Sequence, residues 1–375
     1  MSHEPVLPLA TEYLFRKATA AGVPLSGTFE LTPVCNMDCK MCYIRLSKRQ
    51  QEAISPLHSA QDWLNLAKTA REHGMLYLLL TGGEPFLHPE FRQILTGLHQ
   101  MGLIISINSN GTLITDETIH WLKEVPPSRI NISLYGASNE TYHRLCGNPN
   151  GFSQTDEAIQ RLKRAGIPVK LNCSLTPHNC ADLPEIINYA KANDLVIQTT
   201  AYMFPPARKE DTPIETNSRF TPEQAAYYTV YTDLLTYGKE VFLAAPDLPE
   251  NTPVSDDGCM GDGEASRCRA GKSSFWVTWK GDLLPCGMFP AEYGTDVFHQ
   301  NFVDAWESVK RKTAQIRLPV KCANCTLKNR CKTCAAMVIT ECGQFDTVPQ
   351  YRCALTESLA SQQSLLKQKI MEDSI

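Results

Sequence analysis

Short apolar runs alternate with longer stretches of helical spacing over residues 27–201. The apolar runs are rich in β-branched residues and leucine, and they predict strands at 27–32, 76–81, 103–108, 129–134, 169–175 and 195–201. Apolar residues at helical spacing predict the intervening helices, at 60–73, 89–100, 115–123, 154–165 and 183–193. This repeated βα order predicts a parallel sheet, and strands this apolar are typical of a sheet buried on both faces.

The number of βα units limits the architecture. Six units are too few for a closed eight-stranded barrel, so we expect an α/β fold with a partial (β/α)6 TIM-like barrel. In such barrels the functional site lies at the carboxyl ends of the strands. The loops after the first three strands, at 33–43, 82–85 and 109–112, are therefore the first places to look for chemistry.

The pattern changes after residue 204, where several prolines interrupt the chain and only 222–237 has clear helical spacing. Nine cysteines follow between Cys259 and Cys353 with few long periodic runs, which predicts a small domain organised around metal rather than an apolar core. We expect the domains to be an N-terminal extension at 1–26, the barrel at 27–204, a linker and helical region at 205–258 and a small cysteine-rich domain at 259–375.

Composition narrows the classes of partner. The 375 residues are 43% apolar. The chain has 36 Lys and Arg against 40 Asp and Glu, which gives a net charge of −4, and it has no long basic run. Nucleic acid is therefore not an expected partner. No signal-like start or membrane-length apolar stretch is present, which predicts a soluble, cytoplasmic protein without a membrane partner. Because cytosolic thiols stay reduced, the fifteen cysteines indicate metal or redox chemistry rather than disulfides.

Three cysteines with the spacing CxxxCxxC, Cys35, Cys39 and Cys42, lie in the loop after the first predicted strand. Three thiolates on a four-iron cluster leave one iron without a protein ligand, and that iron can bind a substrate. The alternative is a structural zinc site, which needs four ligands, and no fourth cysteine or histidine is close in the sequence.

This spacing after the first strand of a partial barrel resembles the radical SAM superfamily, whose enzymes cleave S-adenosylmethionine (SAM) reductively to a 5′-deoxyadenosyl radical. Residues 81–85, Thr-Gly-Gly-Glu-Pro, resemble the GGEP motif of that family, and 108–112 and 133–136 resemble its third- and fourth-strand segments. The resemblance implies a [4Fe-4S] cluster on the three thiols and a SAM site. The implied SAM-binding residues are Tyr43, Gly82, Gly83, Glu84, Pro85, Asn108, Ser133 and Ser174. Tyr43 has the alternative role of an ordinary core tyrosine.

The tail cysteines resemble the SPASM domain of peptide- and protein-modifying radical SAM enzymes. The resemblance implies two auxiliary [4Fe-4S] clusters, although two four-cysteine zinc sites are the alternative. One cluster would be held by Cys268, Cys286 and Cys334, with Cys259 upstream as the fourth ligand, and the other by Cys322, Cys325, Cys331 and Cys353. Two residues separate Cys331 from Cys334, where the family usually has three. Cys342 competes with Cys353 or Cys259, whereas Cys146, Cys173 and Cys180 are expected to be ordinary residues.

The resemblance further implies a peptide or protein substrate that is crosslinked through a thioether or carbon–carbon bond, epimerised or oxidised. It also implies a reductant such as flavodoxin or ferredoxin. A small-molecule radical SAM dehydrogenase is one alternative, and a zinc protein without catalysis is another. A further alternative is an enzyme like the anaerobic sulfatase maturases, but that type carries an acid directly after the cysteine of its Gly-x4-Cys motif, where this chain has Gly287.

Overall fold

A single nine-stranded sheet runs through the part of the chain that a computed structural model describes, residues 9–206, 218–246 and 268–372 without 324, 326, 328 and 329. The strands are β1 (Ser26–Glu30), β2 (Tyr77–Thr81), β3 (Ile104–Ser109), β4 (Arg129–Ser133), β5 (Val169–Ser174), β6 (Ile197–Thr200), β7 (Ser274–Val277), β8 (Asp282–Leu284) and β9 (Thr295–Asp296). Their order is β6-β5-β4-β3-β2-β1-β7-β8-β9. Strands β1 to β7 pair in parallel, and β7, β8 and β9 pair antiparallel.

Helices connect and cover these strands. They are α1 (Leu9–Ala21), α2 (Lys48–Ile54), α3 (Ala60–Glu72), α4 (Phe91–Gln100), α5 (Asp116–Leu122), α6 (Asn139–Cys146), α7 (Gly151–Arg164), α8 (Leu183–Ala192), α9 (Pro222–Tyr237), α10 (Lys239–Ala244), α11 (Phe302–Ala314), α12 (Val320–Ala323), α13 (Ala335–Cys342) and α14 (Gln350–Glu372). Among the described residues, none of these helices has both the length and the apolar character needed to cross a bilayer.

The six predicted strands are confirmed, each with ends within two residues of the prediction, and so are the predicted helices that became α3, α4, α5, α7, α8 and α9. Local capping explains where several of these helices begin. Ser59 caps α3 in a reciprocal pair with Asp62, and Thr221 caps α9 with Gln224 in the same way. The short helices α2 and α6 were not predicted.

The parallel strands have one apolar face and one polar face. Phe29, Ile107 and Ile132 belong to the main core, which is formed with the outer helices. Side chains alternate along a strand, so Asn108 and Asn131 occupy the opposite face. The sheet therefore packs its apolar face against the helices, and its opposite face is mostly polar, with Asn131 also buried.

The cysteine-rich region extends the same sheet. Strand β7 pairs with β1 over Ser26–Phe29 and Ser274–Val277, and Phe275 on β7 and Trp306 on α11 lie in the main core. A second apolar core forms around Leu284, Phe289 and Val338. The expectation that this region lacks an apolar core is wrong, since its strands and helices bury apolar side chains between the cysteines.

Candidate active site

The CxxxCxxC loop follows β1 and rests on the end of α6. The backbone N–H of Asp38 donates to the carbonyl of Cys146 at 2.8 Å, and that of Lys40 donates to the carbonyl of Leu145 at 3.0 Å. These carbonyls belong to the last turn of a helix, where four carbonyls have no partner within the helix. The loop therefore satisfies the end of α6, and α6 in turn holds the backbone of the loop.

Hydrogen-bond donors surround the sulfur atoms of the loop. The N–H of Met37 lies 3.4 Å from Cys35 Sγ, the side-chain amide of Asn110 lies 3.7 Å from the same sulfur, and the N–H of Arg45 lies 3.3 Å from Cys42 Sγ. Burial raises the pKa of Cys35 to about 12, so its thiol is protonated at neutral pH unless a bound cation stabilises the thiolate. The donors and the burial together suit thiolates that bind a metal cluster.

A fourth thiol contacts this loop from α6. A hydrogen bond between the thiols of Cys39 and Cys146 raises the pKa of Cys39 well above its ordinary value, and burial raises it further. Cys146 is fully buried, as expected for an ordinary core cysteine, but the sequence carried no signal of its contact with the loop.

The two glycines after β2 are required by the packing of the turn against the segment before Cys35. A Cβ atom on Gly82 would lie 2.4 Å from the carbonyl oxygen of Thr32, and one on Gly83 would lie 2.5 Å from that of Val34. The N–H of Gly83 donates to Thr32 O at 2.6 Å, and that of Glu84 donates to Val34 O at 2.9 Å. The glycines thus let the turn hold the start of the cysteine loop by backbone hydrogen bonds.

Glu84 is fully buried beside this turn and accepts three hydrogen bonds. The Ser109 hydroxyl donates at 2.9 Å, the N–H of Asn110 at 2.8 Å and the N–H of Phe86 at 3.3 Å. Burial raises the pKa of Glu84 to about 7, although the three donors act in the opposite direction. The carboxyl group is therefore poised to ionise when a cationic or hydrogen-bonding amine approaches.

Glu84 contacts two residues, Ser109 and Asn110, that the sequence analysis did not assign to the site. Ser109 and Asn110 join Glu84 to the cysteine loop, because Asn110 also donates to Asn36 Oδ1 at 2.9 Å. They directly follow Asn108 in a segment already singled out, so the segment carried the signal, and Asn108 stays a prediction as a SAM contact. Asn108 instead accepts a hydrogen bond from Asn131 at 2.7 Å.

The remaining predicted SAM contacts stand at neighbouring strand ends. Ser133 and Ser174 are the last residues of β4 and β5, and both are partly exposed. Pro85 opens the 3-10 turn Pro85–Leu87 after β2, and Tyr43, next to Cys42, is partly exposed. Parallel strands bring these ends to one edge of the sheet, and each of these residues remains a prediction as a SAM contact.

The tail brings four of its predicted ligands together. Burial raises the pKa of Cys353 to about 11, and the neighbouring thiols of Cys331, Cys322 and Cys325 raise it further. The Thr356 hydroxyl donates to Cys331 Sγ at 3.6 Å. These four cysteines are the set implied for one auxiliary cluster, and the sulfur of Cys342 is not among the neighbours that raise the pKa of Cys353.

The other predicted tail set consists of Cys259, Cys268, Cys286 and Cys334. Cys286 and Cys334 pack against the second apolar core, and Cys334 is the N-cap residue of α13. Cys268 lies before β7, and Cys259 lies outside the described residues.

Over the described ranges, no three His, Cys, Asp or Glu side chains are grouped closely enough to hold a single metal ion. A zinc ion needs its ligands within about 2.3 Å of one centre, whereas a four-iron cluster binds each thiolate at a different iron.

Comparison with known proteins identifies the domain that contains the cysteine loop. Residues 29–190 match the radical SAM superfamily. The domain formed by these residues is a radical SAM domain. The superfamily uses a [4Fe-4S] cluster and SAM, and the loop of this radical SAM protein, with its three thiols and N–H donors, fits that cluster.

Relatives of this chain include a protein named for bacteriocin biosynthesis and a heme synthase. The subtilosin biosynthesis protein AlbA of Bacillus subtilis is 26% identical over 82% of this chain and 65% of its own length. An AdoMet-dependent heme synthase of Methanosarcina barkeri is 24% identical over 84% of this chain and 93% of its own length. SuiB of Streptococcus suis, bound to the precursor peptide SuiA, superposes with a TM-score of 0.67 at 19% identity, over 94% of this chain and 83% of its own. The last match shows the same partial-barrel fold, and the comparisons together support the SPASM subfamily.

Proposed function

We propose that this radical SAM protein modifies a peptide or protein substrate. The observation that carries the proposal is the tail, in which Cys322, Cys325, Cys331 and Cys353 form one group on a region that shares its sheet with the barrel. AlbA, named for bacteriocin biosynthesis, and SuiB, bound to a precursor peptide, support a peptide substrate.

In this proposal the chain divides its tasks between two regions. When bound, the reduced cluster and SAM supply a 5′-deoxyadenosyl radical that abstracts a hydrogen atom from the substrate. Residues 27–204 would hold that cluster through Cys35, Cys39 and Cys42, and Glu84 would accept a hydrogen bond from the methionyl amine of SAM. Residues 259–375 would hold two auxiliary clusters, which would supply electron exchange with the substrate, and a flavodoxin or ferredoxin would be the reductant.

The surroundings of Gly287 disfavour sulfatase maturation. A Cβ atom on Gly287 would lie 2.7 Å from the indole ring of Trp276, so no acidic side chain fits there without moving the ring. The Trp276 indole N–H donates to the buried carboxylate of Glu30 at 3.0 Å, which fixes the ring. The acid of the maturase pattern is therefore excluded at this position by packing.

A small-molecule reaction is the second candidate. The heme synthase relative matches over 93% of its own length and 84% of this chain. Sequence similarity thus extends to enzymes outside peptide modification, and only product analysis separates the two candidates.

The proposal is tested by co-expressing the chain with short peptides encoded beside its gene. Anaerobically reconstituted enzyme is then incubated with each peptide, SAM and dithionite in D2O. We expect 5′-deoxyadenosine, together with a peptide that has lost two hydrogens per crosslink or gained deuterium by epimerisation. The triple variant Cys35→Ala, Cys39→Ala, Cys42→Ala is the control and should give neither product. If the peptides stay unchanged while a small-molecule cell extract stimulates 5′-deoxyadenosine formation, the second candidate replaces the first.

A further inference from the structure

A buried ion pair joins the last turn of α13 to the chain before α9. The guanidinium of Arg219 forms two hydrogen bonds with the carboxylate of Glu341, one of them at 3.2 Å to Oε2. The Tyr202 hydroxyl donates to Glu341 Oε1 at 2.6 Å. Only 17% of the Arg219 side chain and 10% of the Glu341 side chain are exposed. The carboxylate is therefore held by three donors in a site largely closed to water.

An aromatic ring completes this arrangement. The guanidinium carbon of Arg219 lies 3.4 Å from the ring centre of Tyr351 and 5.3 Å from that of Tyr202. The Tyr351 hydroxyl donates to the carbonyl of Phe220 at 2.8 Å. We call Tyr202, Arg219, Glu341 and Tyr351 the clamp. A planar guanidinium that stacks on a ring and pairs with a carboxylate has a defined orientation. The clamp therefore fixes the relative orientation of the elements it joins as well as the distance between them.

The clamp contacts one strand end and two of the helices that carry tail thiols. Tyr202 follows β6 at the carboxyl end of the barrel. Glu341 lies in the last turn of α13, whose N-cap is Cys334, and Tyr351 lies in the first turn of α14, two residues before Cys353. Cys334 of one tail set and Cys353 of the other therefore lie on helices that the clamp contacts.

The residues next to Tyr202 connect the same two regions. Met203 packs with the apolar side chains of the Cys35–Cys39 loop, and Phe204 packs with Cys286 and Cys334 in the second core. The segment after β6 therefore lies between the SAM-cluster loop and one tail set of thiols. A shift of this segment would change the distance between the SAM-cluster loop and those tail thiols.

We propose that the clamp is a positioning device that sets the distance and orientation of the tail cysteines relative to the SAM-cluster loop. This inference rests on the proposed function, because it assigns electron exchange to clusters on those cysteines. A buried ion pair adds little stability over apolar residues of similar volume, and its benefit in this chain is the fixed geometry. Electron exchange between the substrate and auxiliary clusters on the tail cysteines would fall steeply with distance, so loss of the clamp should uncouple SAM cleavage from substrate modification.

The test uses a double variant, Arg219→Met with Glu341→Leu, which removes both charges and leaves no buried charge unpaired. Tyr202→Phe, which removes one hydrogen bond and keeps the ring, is the conservative second variant. Arg161→Met is the matched control, because Arg161 is a largely buried arginine that pairs with Asp116 and Glu157 on the barrel helices. Each protein is reconstituted with iron and sulfide and compared with the unmodified chain.

We expect the double variant to keep the iron content of the unmodified chain and to cleave SAM alone at the same rate. The magnetic coupling between reduced clusters, measured by pulsed EPR without substrate, should change. Peptide product per 5′-deoxyadenosine should fall about tenfold to a hundredfold, the range expected for a misplacement near 1 Å. Tyr202→Phe should give a smaller change in both quantities, and Arg161→Met should give none.

Three results would overturn the positioning role of the clamp, and each has a different cause. Unchanged magnetic coupling in a fully loaded double variant would overturn the positioning role, whatever the substrate is. Loss of tail iron with unchanged helix content would show that the clamp builds the clusters rather than positions them, which also overturns it. If the unmodified chain itself holds only about four irons, the auxiliary clusters of the proposed function are wrong and the inference fails with them.

Discussion

At the scale of single residues, Glu84 shows how burial changes a side chain. Its carboxyl group is closed to water and accepts hydrogen bonds from Ser109, Asn110 and Phe86, yet burial raises its pKa from 4.5 to about 7. The folded chain therefore binds the Glu84 proton more tightly than the unfolded chain does. The stabilisation from this proton is complete below pH 4.5 and is lost as the pH rises towards 7.

We predict that Glu84→Gln in cluster-free protein changes this pH dependence. Relative to the unmodified chain, the free energy of unfolding of the variant should improve by up to about 3 kcal/mol between pH 4.5 and 8, because a neutral amide has no charge to bury. Urea unfolding at several pH values measures the difference. The exposed Glu124→Gln is the control and should show no such trend. A pH-independent difference for Glu84→Gln would mean that the carboxyl ionises normally in the folded chain.

The same residue gives a prediction about SAM. Glu84→Ala should weaken SAM binding to the reconstituted protein by about 1.5–3 kcal/mol, because the methionyl amine loses a charge-assisted partner. Calorimetric titration with SAM measures the change, and Glu124→Ala serves as the control. Equal SAM affinity in the Glu84→Ala variant and the unmodified chain would remove Glu84 from the site.

At the scale of elements, the turn after β2 and the loop after β1 behave as one unit. Gly82 and Gly83 place their backbone against Thr32 and Val34, just before the first cysteine. The loop also rests on the end of α6. The position of the three thiols therefore depends on contacts between neighbouring elements more than on the loop alone.

We predict that Gly83→Ala displaces the cysteine loop, because its Cβ would lie 2.5 Å from the carbonyl oxygen of Val34 and 2.6 Å from that of Pro33. Reconstituted Gly83→Ala protein should lose about one third of its iron, the share of one cluster in three. Gly102→Ala is the matched control, since Gly102 has a φ of +74° and nothing within 4 Å of an added Cβ. It should lose about 1 kcal/mol of stability and no iron. Full iron content in Gly83→Ala would show that the loop tolerates the shift.

At the scale of the whole molecule, the tail and the barrel share a sheet and a core. Strand β7 covers the edge of β1, and Phe275 and Trp306 pack into the core that the barrel helices complete. Folding of the tail therefore draws on apolar burial as well as on metal. Removal of one set of thiols should leave the rest of the chain folded.

We predict that Cys325→Ala with Cys331→Ala removes about one third of the iron and abolishes modification of the substrate. The iron of the CxxxCxxC loop should remain, because Cys35, Cys39 and Cys42 lie on a different part of the sheet. Iron analysis, circular dichroism and peptide mass measure the three effects, and Cys180→Ala, which alters a cysteine outside every predicted set, is the control. A folded double variant that modifies its substrate at the normal rate would make these thiols structural.

The sequence by itself determined the order of the six βα units and the two motifs at the first two strand ends. The apolar period of a strand or helix is a local property, so β1 to β6 were predicted with ends within two residues. The spacing of Cys35, Cys39 and Cys42 is local as well, as is the glycine pair before Glu84. These features need no knowledge of which distant segment lies alongside.

Contacts between distant segments became visible only in the folded chain. The pairing of β7 with β1, the thiol contact of Cys146 with Cys39, and the contact of Arg219 with Glu341 all join residues far apart in the chain. A local pattern does not encode such partners, because each depends on how whole elements pack. The period of a strand likewise does not reveal which of its faces the helices cover.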